Sequence, residues 1–159
     1  MVGLGELKFE DGTQYLGMTQ NNIIQGKGRM IHKNGDVYQG NFENGQANGL
    51  GCVAYAEGSV YKGDWKNDKP HGKGVETWAD KGSMRYEGDF LEGNKTGKGK
   101  FEFEDSFYDG DFVDGQFHGE GKYFFADSGK IFKGTFVHNQ IKGNGIMIFP
   151  DGSRYEGQF

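Results

Sequence analysis

The strongest constraint on the fold of this chain is an internal repeat of about 23 residues. An aromatic-x-Gly pattern and a Gly-x-Gly pattern occur seven times each and alternate along the chain. The aromatic residues are Tyr15, Tyr38, Tyr61, Tyr86, Tyr108, Phe132 and Tyr155. The Gly-x-Gly patterns begin at Gly3, Gly26, Gly49, Gly72, Gly97, Gly119 and Gly143. Repeats of this kind are typical of linear arrays in which each unit packs on its neighbours.

The spacing inside the repeat separates a constant segment from a variable one. Each of the first six aromatic residues is followed by a Gly-x-Gly pattern after 11 residues, whereas the return distance ranges from 11 to 14. The variable segment carries hairpin turn pairs. These pairs are Asp11-Gly12, Asn34-Gly35, Glu57-Gly58 and Asp151-Gly152. Length changes therefore fall in one of the two connections of each unit, and the other connection is predicted to keep one geometry.

A second ring follows each aromatic residue after four positions in every unit except the first, which has Thr19. The second rings are Phe42, Trp65, Phe90, Phe112, Phe136 and Phe159. Three positions after this site stands a residue type that tolerates positive φ, as a tight turn requires. These turn residues are Asn22, Gly45, Asp68, Gly93, Gly115 and Asn139. Two turns in each unit predict two antiparallel strands in each unit.

Strand alternation explains why glycine is so frequent. In residues 38–42, Tyr38, Gly40 and Phe42 share one face of a strand. In residues 26–32 the same face carries Gly26 and Gly28. Rings can therefore lie flat on bare backbone in neighbouring strands, which buries apolar area without a second layer. The opposite face is predicted to be charged and solvated, with room for ion pairs across strands.

We therefore expect an all-β fold, an elongated single-layer twisted antiparallel meander of up to fourteen strands. This β-repeat solenoid of hairpins is expected to occupy residues 1–159 as one array, with a half-unit at each end. The units are expected to begin near Gly3, Tyr15, Tyr38, Tyr61, Tyr86, Tyr108, Phe132 and Tyr155.

Composition excludes several classes of function. A net charge of −5, with 18 basic and 23 acidic residues, argues against a surface for nucleic acid or for anionic lipid, since both need clustered Lys and Arg. The longest apolar stretches, such as 146–149, are too short to span a bilayer. The N-terminal residues lack the pattern of a signal peptide. Cys52 is the single cysteine, so a reducing, cytoplasmic compartment is expected.

Motifs for catalysis or cofactors are weak, and we expect no catalytic, cofactor or metal residues. The Gly-x-Gly patterns lack the third glycine and the strand-to-helix context of a nucleotide loop. The segment 109–115 resembles a calcium loop, but its third carboxylate is one residue late and no glutamate closes it. His71 and His118 occupy one repeat position, so they are interpreted as register residues and not as a metal pair.

The repeat resembles the MORN family, whose units have the form Tyr-x-Gly-x-aromatic, a turn, and Gly-x-Gly. The segment 61–65, Tyr-Lys-Gly-Asp-Trp, followed by His-Gly-Lys-Gly at 71–74, is similar to that form, as is Tyr-Glu-Gly-Gln-Phe at 155–159. The resemblance covers essentially the whole chain in seven units. The departures are Thr19 at the second ring, Phe132 at the first, and a stretched loop at 79–84.

The resemblance implies a non-enzymatic scaffold or adaptor that binds partner peptides or self-associates. Such members hold proteins in ciliary or flagellar axonemes, including radial-spoke heads, and in other cytoskeletal assemblies. Two alternatives remain. Some members are linked to acidic phospholipids, which would make the chain a membrane-surface module. The chain could also be the regulatory repeat region of a larger protein.

Two surfaces are candidates for partner binding. The regular rings are first of all expected to form the core, but a single layer covers them only in part. A groove for an apolar, helical or extended ligand is therefore expected on the ring face. Its expected residues are Tyr38, Phe42, Tyr61, Trp65, Trp78, Tyr86, Phe90, Phe103 and Phe112. On the opposite face, apolar residues replace charges in the last three units. These are Val113, Phe124, Val137, Ile146 and Ile148, expected to form a docking or dimer surface unless a C-terminal turn or tail covers them.

The two ends of the array carry an expectation of their own. The chain begins on a Gly-x-Gly half-unit and stops directly after Phe159. Both ends of such a sheet expose an unpaired strand edge, which proteins normally cover. We therefore expect either a longer native chain or a stable assembly in which a neighbouring chain pairs with an edge.

Overall fold

The computed structural model describes residues 1–79 and 83–159 and confirms the expected fold class. Fourteen antiparallel strands form one sheet in which each strand pairs with the next along the chain. The strands are β1 (Val2–Lys8), β2 (Gln14–Gln20), β3 (Ile23–Ile31), β4 (Val37–Glu43), β5 (Gln46–Ala54), β6 (Ser59–Lys66), β7 (Lys69–Trp78), β8 (Met84–Leu91), β9 (Asn94–Phe103), β10 (Ser106–Val113), β11 (Gln116–Phe125), β12 (Lys130–Val137), β13 (Gln140–Ile148) and β14 (Arg154–Gln158). The centre of the stretched loop, residues 80–82, lies outside the described residues. Among the described residues, none forms a helix long and apolar enough to cross a membrane.

The connection after each even-numbered strand is a two-residue turn in which both residues have positive φ. In the turn after β4, for example, Asn44 has a φ of 50° and Gly45 of 81°. Such turns match the right-handed twist of the strands that they join. The six turns of this kind are 21–22, 44–45, 67–68, 92–93, 114–115 and 138–139. The constant segment of the repeat therefore has the single turn geometry that its spacing predicted.

The variable connections differ in their hydrogen bonding. The turn between β3 and β4 closes through the backbone N–H of His32, which donates to the carbonyl of Asp36 at 2.9 Å. The same closure joins residues 9 and 13, 55 and 59, and 149 and 153. Between β9 and β10, Glu104 and Asp105 instead form a two-residue turn with φ of 47° and 65°. This tighter turn explains why the return distance is shortest in that unit.

One row of glycines crosses the whole sheet. Every strand contributes one glycine, and each lies opposite the glycine of the next strand in the pairing register. The row consists of Gly5, Gly17, Gly28, Gly40, Gly51, Gly63, Gly74, Gly88, Gly99, Gly110, Gly121, Gly134, Gly145 and Gly157. The register of every strand pair is therefore fixed at the same level, which we call the glycine row.

The first ring of each unit lies on the glycine row. A Cβ atom added to Gly74 would lie 2.4 Å from Cε2 of Tyr61, so the ring occupies the space that a side chain would need. Tyr61 is fully buried, and its hydroxyl donates a hydrogen bond of 2.6 Å to the carbonyl oxygen of Asp64. The same bond is made by Tyr15, Tyr38, Tyr86 and Tyr108. Phe132 fills the equivalent place, also fully buried, with a ring that carries no hydroxyl.

The second rings join the first rings into one continuous ladder. Trp65 meets Tyr61 of its own strand edge-on at 5.2 Å and Tyr38 of the preceding unit at 5.1 Å. Twelve such contacts, at centroid distances of 4.9–5.4 Å, run without a break from Tyr15 to Tyr155. Edge-to-face contact is a favoured arrangement of aromatic pairs. Because each second ring is shared by two units, the core is shared between neighbours.

The opposite face carries the expected ion pairs across strands. Asp89 lies at the bulge of β8, accepts the backbone N–H of Lys98 at 2.8 Å, and pairs with the ammonium group of Lys73. The hydrogen bond from Lys73, helped by that from Lys98, holds the pKa of Asp89 below its ordinary value. Asp111 repeats the arrangement one unit later with Glu120 and Lys98. These exposed pairs contribute less than about 1 kcal/mol each.

Substituting glycine in the row should be far more damaging than substituting glycine elsewhere in a strand. We expect Gly74→Ala to lower the free energy of unfolding by about 3 kcal/mol, since the added methyl displaces the Tyr61 ring. Gly3→Ala is the control, because a Cβ atom at Gly3 meets nothing within 4 Å. Its effect should be neutral or slightly stabilising. Urea titration measures the free energy of unfolding of both variants. An equal loss of stability in the two variants would contradict a steric role for the glycine row.

Removing the hydroxyl of one buried tyrosine should lower the stability of the fold at neutral pH and should reduce the further loss of stability at alkaline pH. Burial, followed by the charge of Asp89, raises the pKa of Tyr86 above its ordinary value. The contribution of this raised pKa to the free energy of unfolding is fully present below about pH 10, and it is lost as the pH rises towards the pKa of the folded state. Tyr86→Phe should therefore lower the free energy of unfolding by about 1 kcal/mol at neutral pH, through the lost hydrogen bond to Asp89. Above about pH 10 its stability should fall less steeply with pH than that of the parent chain.

Urea titrations at several pH values measure this difference. Tyr155→Phe is the matched control, because Tyr155 is half exposed and its substitution should change the free energy of unfolding little. An unchanged slope above about pH 10 in Tyr86→Phe would show that the ladder hydroxyls do not couple protonation to folding.

Candidate functional site

The residues expected to line the groove fall into two groups. Seven of the nine are buried, with exposed fractions of 0–8%. They are Tyr38, Phe42, Tyr61, Trp65, Tyr86, Phe90 and Phe112. Trp78 is partly buried, and Phe103 is 37% exposed. These seven rings are therefore mainly core, as the regular rings were first of all expected to be, while Tyr38, Phe42, Trp65 and Phe112 still line cavities on the ring face.

A groove nevertheless runs over the ring ladder, and its walls come from other residues. Over β3–β7 it encloses a cavity of about 340 Å³. Tyr38, Phe42 and Trp65 lie at its base. The walls are lined by Met30, His32, Asp36, Gly45, Ala47, Val53, Tyr55, Asp68 and Pro70. We call this cavity the N-terminal groove.

A third aromatic position recurs along one side of the groove. It is the residue six positions after the first glycine of each Gly-x-Gly pattern, at the end of an odd-numbered strand or directly after it. Its members are Phe9, His32, Tyr55, Trp78, Phe103, Phe125 and Phe149. All seven are at least partly accessible. Sequence reasoning identified only Trp78 and Phe103, although aligning the units on their Gly-x-Gly patterns shows the whole series.

An ion pair interrupts the apolar surface in the middle of the groove. Lys95 Nζ lies 3.1 Å from the Glu76 carboxylate, and the two side chains are only 21% and 17% exposed. The ammonium group also lies 4.9 Å from the centre of the Trp78 ring. In neighbouring units the corresponding positions are apolar, such as Pro70 and Val53. The pair therefore separates the N-terminal groove from a second cavity of about 380 Å³, which Trp78, Met84, Lys95, Phe101, Phe112, Gly115, Phe117 and Asn139 line.

The electrostatic environment of the N-terminal groove is negative. Burial first, and then the charges of Glu76, Asp36 and Glu57, raise the pKa of Tyr55 to about 12. Burial and the charge of Asp68 raise the pKa of Tyr38 to about 12 as well. Both tyrosines therefore remain neutral donors at physiological pH, next to fixed carboxylates.

The candidates on the opposite face do not form one cluster. One group, Phe124, Ile146 and Ile148, lies near the strand ends that the variable loops connect; we call this side of the sheet the loop edge. The other group, Val113 and Val137, pairs with Gln116 and Gln140 beside the tight turns, at the opposite ends of the strands. Val113 is six residues along β10 from the level of Phe124, which is about 20 Å, and Val137 is four residues along β12 from the level of Ile146, which is about 13 Å. The grouping predicted from the sequence is therefore corrected.

Two residues that the sequence did not single out complete the apolar patch at the loop edge. Phe107 lies opposite Phe124 and stacks on it at 5.6 Å, and Ile131 lies between Phe124 and Ile148 in the register. Lysine ammonium groups lie over Phe107, at 4.8 Å for Lys100 and at 5.6 Å for Lys122. We call the five residues Phe107, Phe124, Ile131, Ile146 and Ile148 the loop-edge patch. The sequence could have revealed this patch through the cross-strand register. That register follows from counting residues along each strand from its glycine in the row.

The histidines at the shared repeat position lie beside tight turns. His71 Nδ1 accepts the backbone N–H of Glu92 at 3.3 Å and so caps the next tight turn. His118 lies beside His138 of the following turn, with ring centres 5.2 Å apart, and its buried Nδ1 has no hydrogen-bond partner. Across residues 1–79 and 83–159, no three His, Cys, Asp or Glu side chains come together as a metal-binding group.

Comparison with solved structures finds similar folds at low sequence identity. One is the TCP domain of SAS-4 from Drosophila melanogaster, determined in complex with a proline-rich motif of Ana2. It is 16% identical, with 97% of this chain and 89% of that chain covered and a TM-score of 0.54. Another is the TCP10c domain of Sas-4 from Drosophila melanogaster, 15% identical, with 98% of each chain covered and a TM-score of 0.49. At these identities the likeness concerns the fold alone.

Sequence comparison identifies the repeat itself. No curated protein matches the chain. The model of the MORN repeat matches six segments, namely 15–37, 38–60, 61–83, 86–106, 108–130 and 132–154. These segments cover most of the chain, and their starts coincide with the first rings of the ladder. The chain therefore belongs to the MORN repeat family.

Proposed function

We propose that this chain is a non-enzymatic adaptor that holds an extended segment of a partner protein in the groove of its ring face. The observation that carries the proposal is the N-terminal groove, a cavity of about 340 Å³ with a base of buried rings and walls that combine apolar side chains, such as Met30 and Tyr55, with the carboxylates of Asp36 and Asp68. Grooves of this composition suit extended peptides, because rigid rings offer apolar area at little entropic cost. MORN repeats are binding modules for proteins or membranes, which agrees with this role.

The finer proposal places the adaptor in a cytoskeletal assembly, with a ciliary axoneme and its radial spokes as the favoured setting. The resemblance to scaffold members of the family supports this placement. The similar fold of the SAS-4 TCP domain, which was determined with a proline-rich motif of Ana2, supports an extended peptide as the kind of ligand. The alternative is a membrane-surface module for acidic phospholipids. That alternative requires clustered cations, whereas acidic residues outnumber basic ones in this chain.

A photocrosslinking experiment separates these possibilities. The photoreactive residue p-benzoylphenylalanine is introduced at position 55 or at position 50 of the tagged chain in its own cells. Tyr55 lies in the N-terminal groove, whereas Leu50 is 65% exposed on the opposite face and serves as the control. We expect position 55 to crosslink to a protein that stays in the detergent-resistant cytoskeletal fraction, and position 50 to give no such product. Mass spectrometry then identifies the partner.

Two results would argue against the groove. Crosslinking at position 50 without crosslinking at position 55 would move the binding surface to the other face. Release of the chain with membranes, together with capture on vesicles of acidic phospholipid, would favour the membrane-surface alternative.

We propose the loop-edge patch as a second contact surface of the same adaptor. Its five apolar side chains lie on four adjacent strands, β10–β13, of the face that also carries the cross-strand ion pairs. A single-layer sheet leaves both faces available, so two partners, or one partner and a second copy, can bind at once. This arrangement would allow the chain to bridge components of an assembly.

Phe124→Asp combined with Ile146→Asp tests the second surface. We expect the double variant to fold and to lose about tenfold or more in partner binding or in self-association, because it places charge inside an apolar contact. Val113→Asp is the matched control, since Val113 is exposed on the same face but lies at the opposite edge. Light scattering and partner pull-down measure the result, and unchanged association and binding in the double variant would refute this surface.

A further inference from the structure

The N-terminal groove differs from the rest of the ring face in its charge. Asp36 and Asp68 are the carboxylates of its lining, and no Lys or Arg is among the described residues that line it. The adjoining cavity towards the N-terminus adds Asp11, again without a basic residue other than His32. The cavity beyond the central ion pair is lined instead by Lys95, which Glu76 neutralises. The groove therefore has a negative N-terminal part and a neutral C-terminal part.

The two carboxylates are held at opposite rims of the groove. Asp36 precedes β4 at the edge of the variable loops, and its Oδ1 accepts the backbone N–H of Ala56 at 2.8 Å. Asp68 belongs to the tight turn after β6, and its Oδ1 accepts the backbone N–H of Ala47 at 2.7 Å. Backbone hydrogen bonds fix both side chains in place before any ligand arrives. Fixed acceptors bind a cation with little loss of conformational entropy.

Neither carboxylate is neutralised by a residue in the described ranges 1–79 and 83–159. Of the residues that the structure describes, no Lys or Arg forms an ion pair with Asp36 or Asp68, whereas Asp89, Asp111 and Glu76 all have such partners. Between the two acidic rims lie apolar and aromatic surfaces, formed by Met30, Val53 and Tyr55. A ligand that fits must therefore present apolar groups in its middle and positive charge towards its ends.

We infer that the N-terminal groove binds an extended, apolar protein segment that carries Lys or Arg on both flanks, with Asp36 and Asp68 as the residues that select the flanking cations. This inference rests on the proposed function and adds the chemistry of the partner. An acidic phospholipid headgroup is disfavoured at the same site, because it would meet two fixed carboxylates. Electrostatic complementarity of this kind mainly sets specificity and the rate of association.

The amide substitutions Asp36→Asn and Asp68→Asn remove the charges and keep the acceptors. The chain itself shows that the exchange is tolerated in the tight turn. Asn139 occupies the position of Asp68 three turns later along the series of units, and its Oδ1 accepts the backbone N–H of Phe117 at 2.8 Å. Asp109→Asn is the matched control, because Asp109 is an exposed carboxylate on the opposite face.

Selection of a random peptide display library on the full chain tests the inference. We expect the selected peptides to be apolar in the centre and rich in Lys and Arg at the ends, and to compete with one another for one site. Replacing the flanking arginines of a selected peptide with citrulline should weaken binding about tenfold at low salt, and the difference should shrink as salt is added. The doubly substituted chain should lose the preference for arginine and bind the citrulline peptide as before. The Asp109→Asn chain should keep the preference.

The outcomes separate this inference from the proposed function. Selected peptides that lack flanking cations, or an arginine preference that survives in the doubly substituted chain, would overturn the inference and leave a peptide-binding groove in place. Failure to select any peptide, with acidic vesicles bound instead, would overturn both. Tyr55→Ala should weaken both the arginine and the citrulline peptide, and an unchanged affinity for both would place the binding site outside the groove.

Discussion

The contact between a tyrosine ring and bare glycine backbone is the interaction on which the rest of this structure depends. It buries six of the seven first rings without a second layer, and it requires the glycine row to continue from β2 to β14. The row fixes the register, so each hydroxyl reaches the carbonyl three residues along its own strand. The second rings then bridge two units each, which makes the stability of one unit a property of its neighbours.

The repeat made the architecture predictable from the sequence. Period-two alternation around Tyr38, Gly40 and Phe42 was enough to predict paired strands, one ring face and one charged face. The accessible part of the site was harder to predict, because exposure depends on cross-strand neighbours. Trp65 and Trp78 are both tryptophans on the ring face, yet Trp65 is 8% exposed and lies between two tyrosines. Trp78 lies at the end of β7, outside the ladder, and is more accessible.

The opposite face shows a different limit of sequence reasoning. In the sequence, Val113 and Phe124 are both apolar residues on the face where charges were expected. In the sheet, the pairing register places them at different positions along the strands. Phe107 was overlooked because it precedes the repeat motif instead of lying within it. Such differences in position along the strands become visible only when each residue is numbered from the glycine row. The same row therefore organises the core, the groove and the outer patch.

The shared second ring has a consequence for how such a chain can change in length. Removing two consecutive strands brings together a Gly-x-Gly strand and a ring strand that already have the matching shapes, so the ladder can close again. Removing a single strand would place two ring strands side by side and exchange the tight-turn edge with the loop edge for everything that follows. Viable ancestors and descendants of this chain should therefore differ by whole hairpins, with smaller insertions confined to the variable loops.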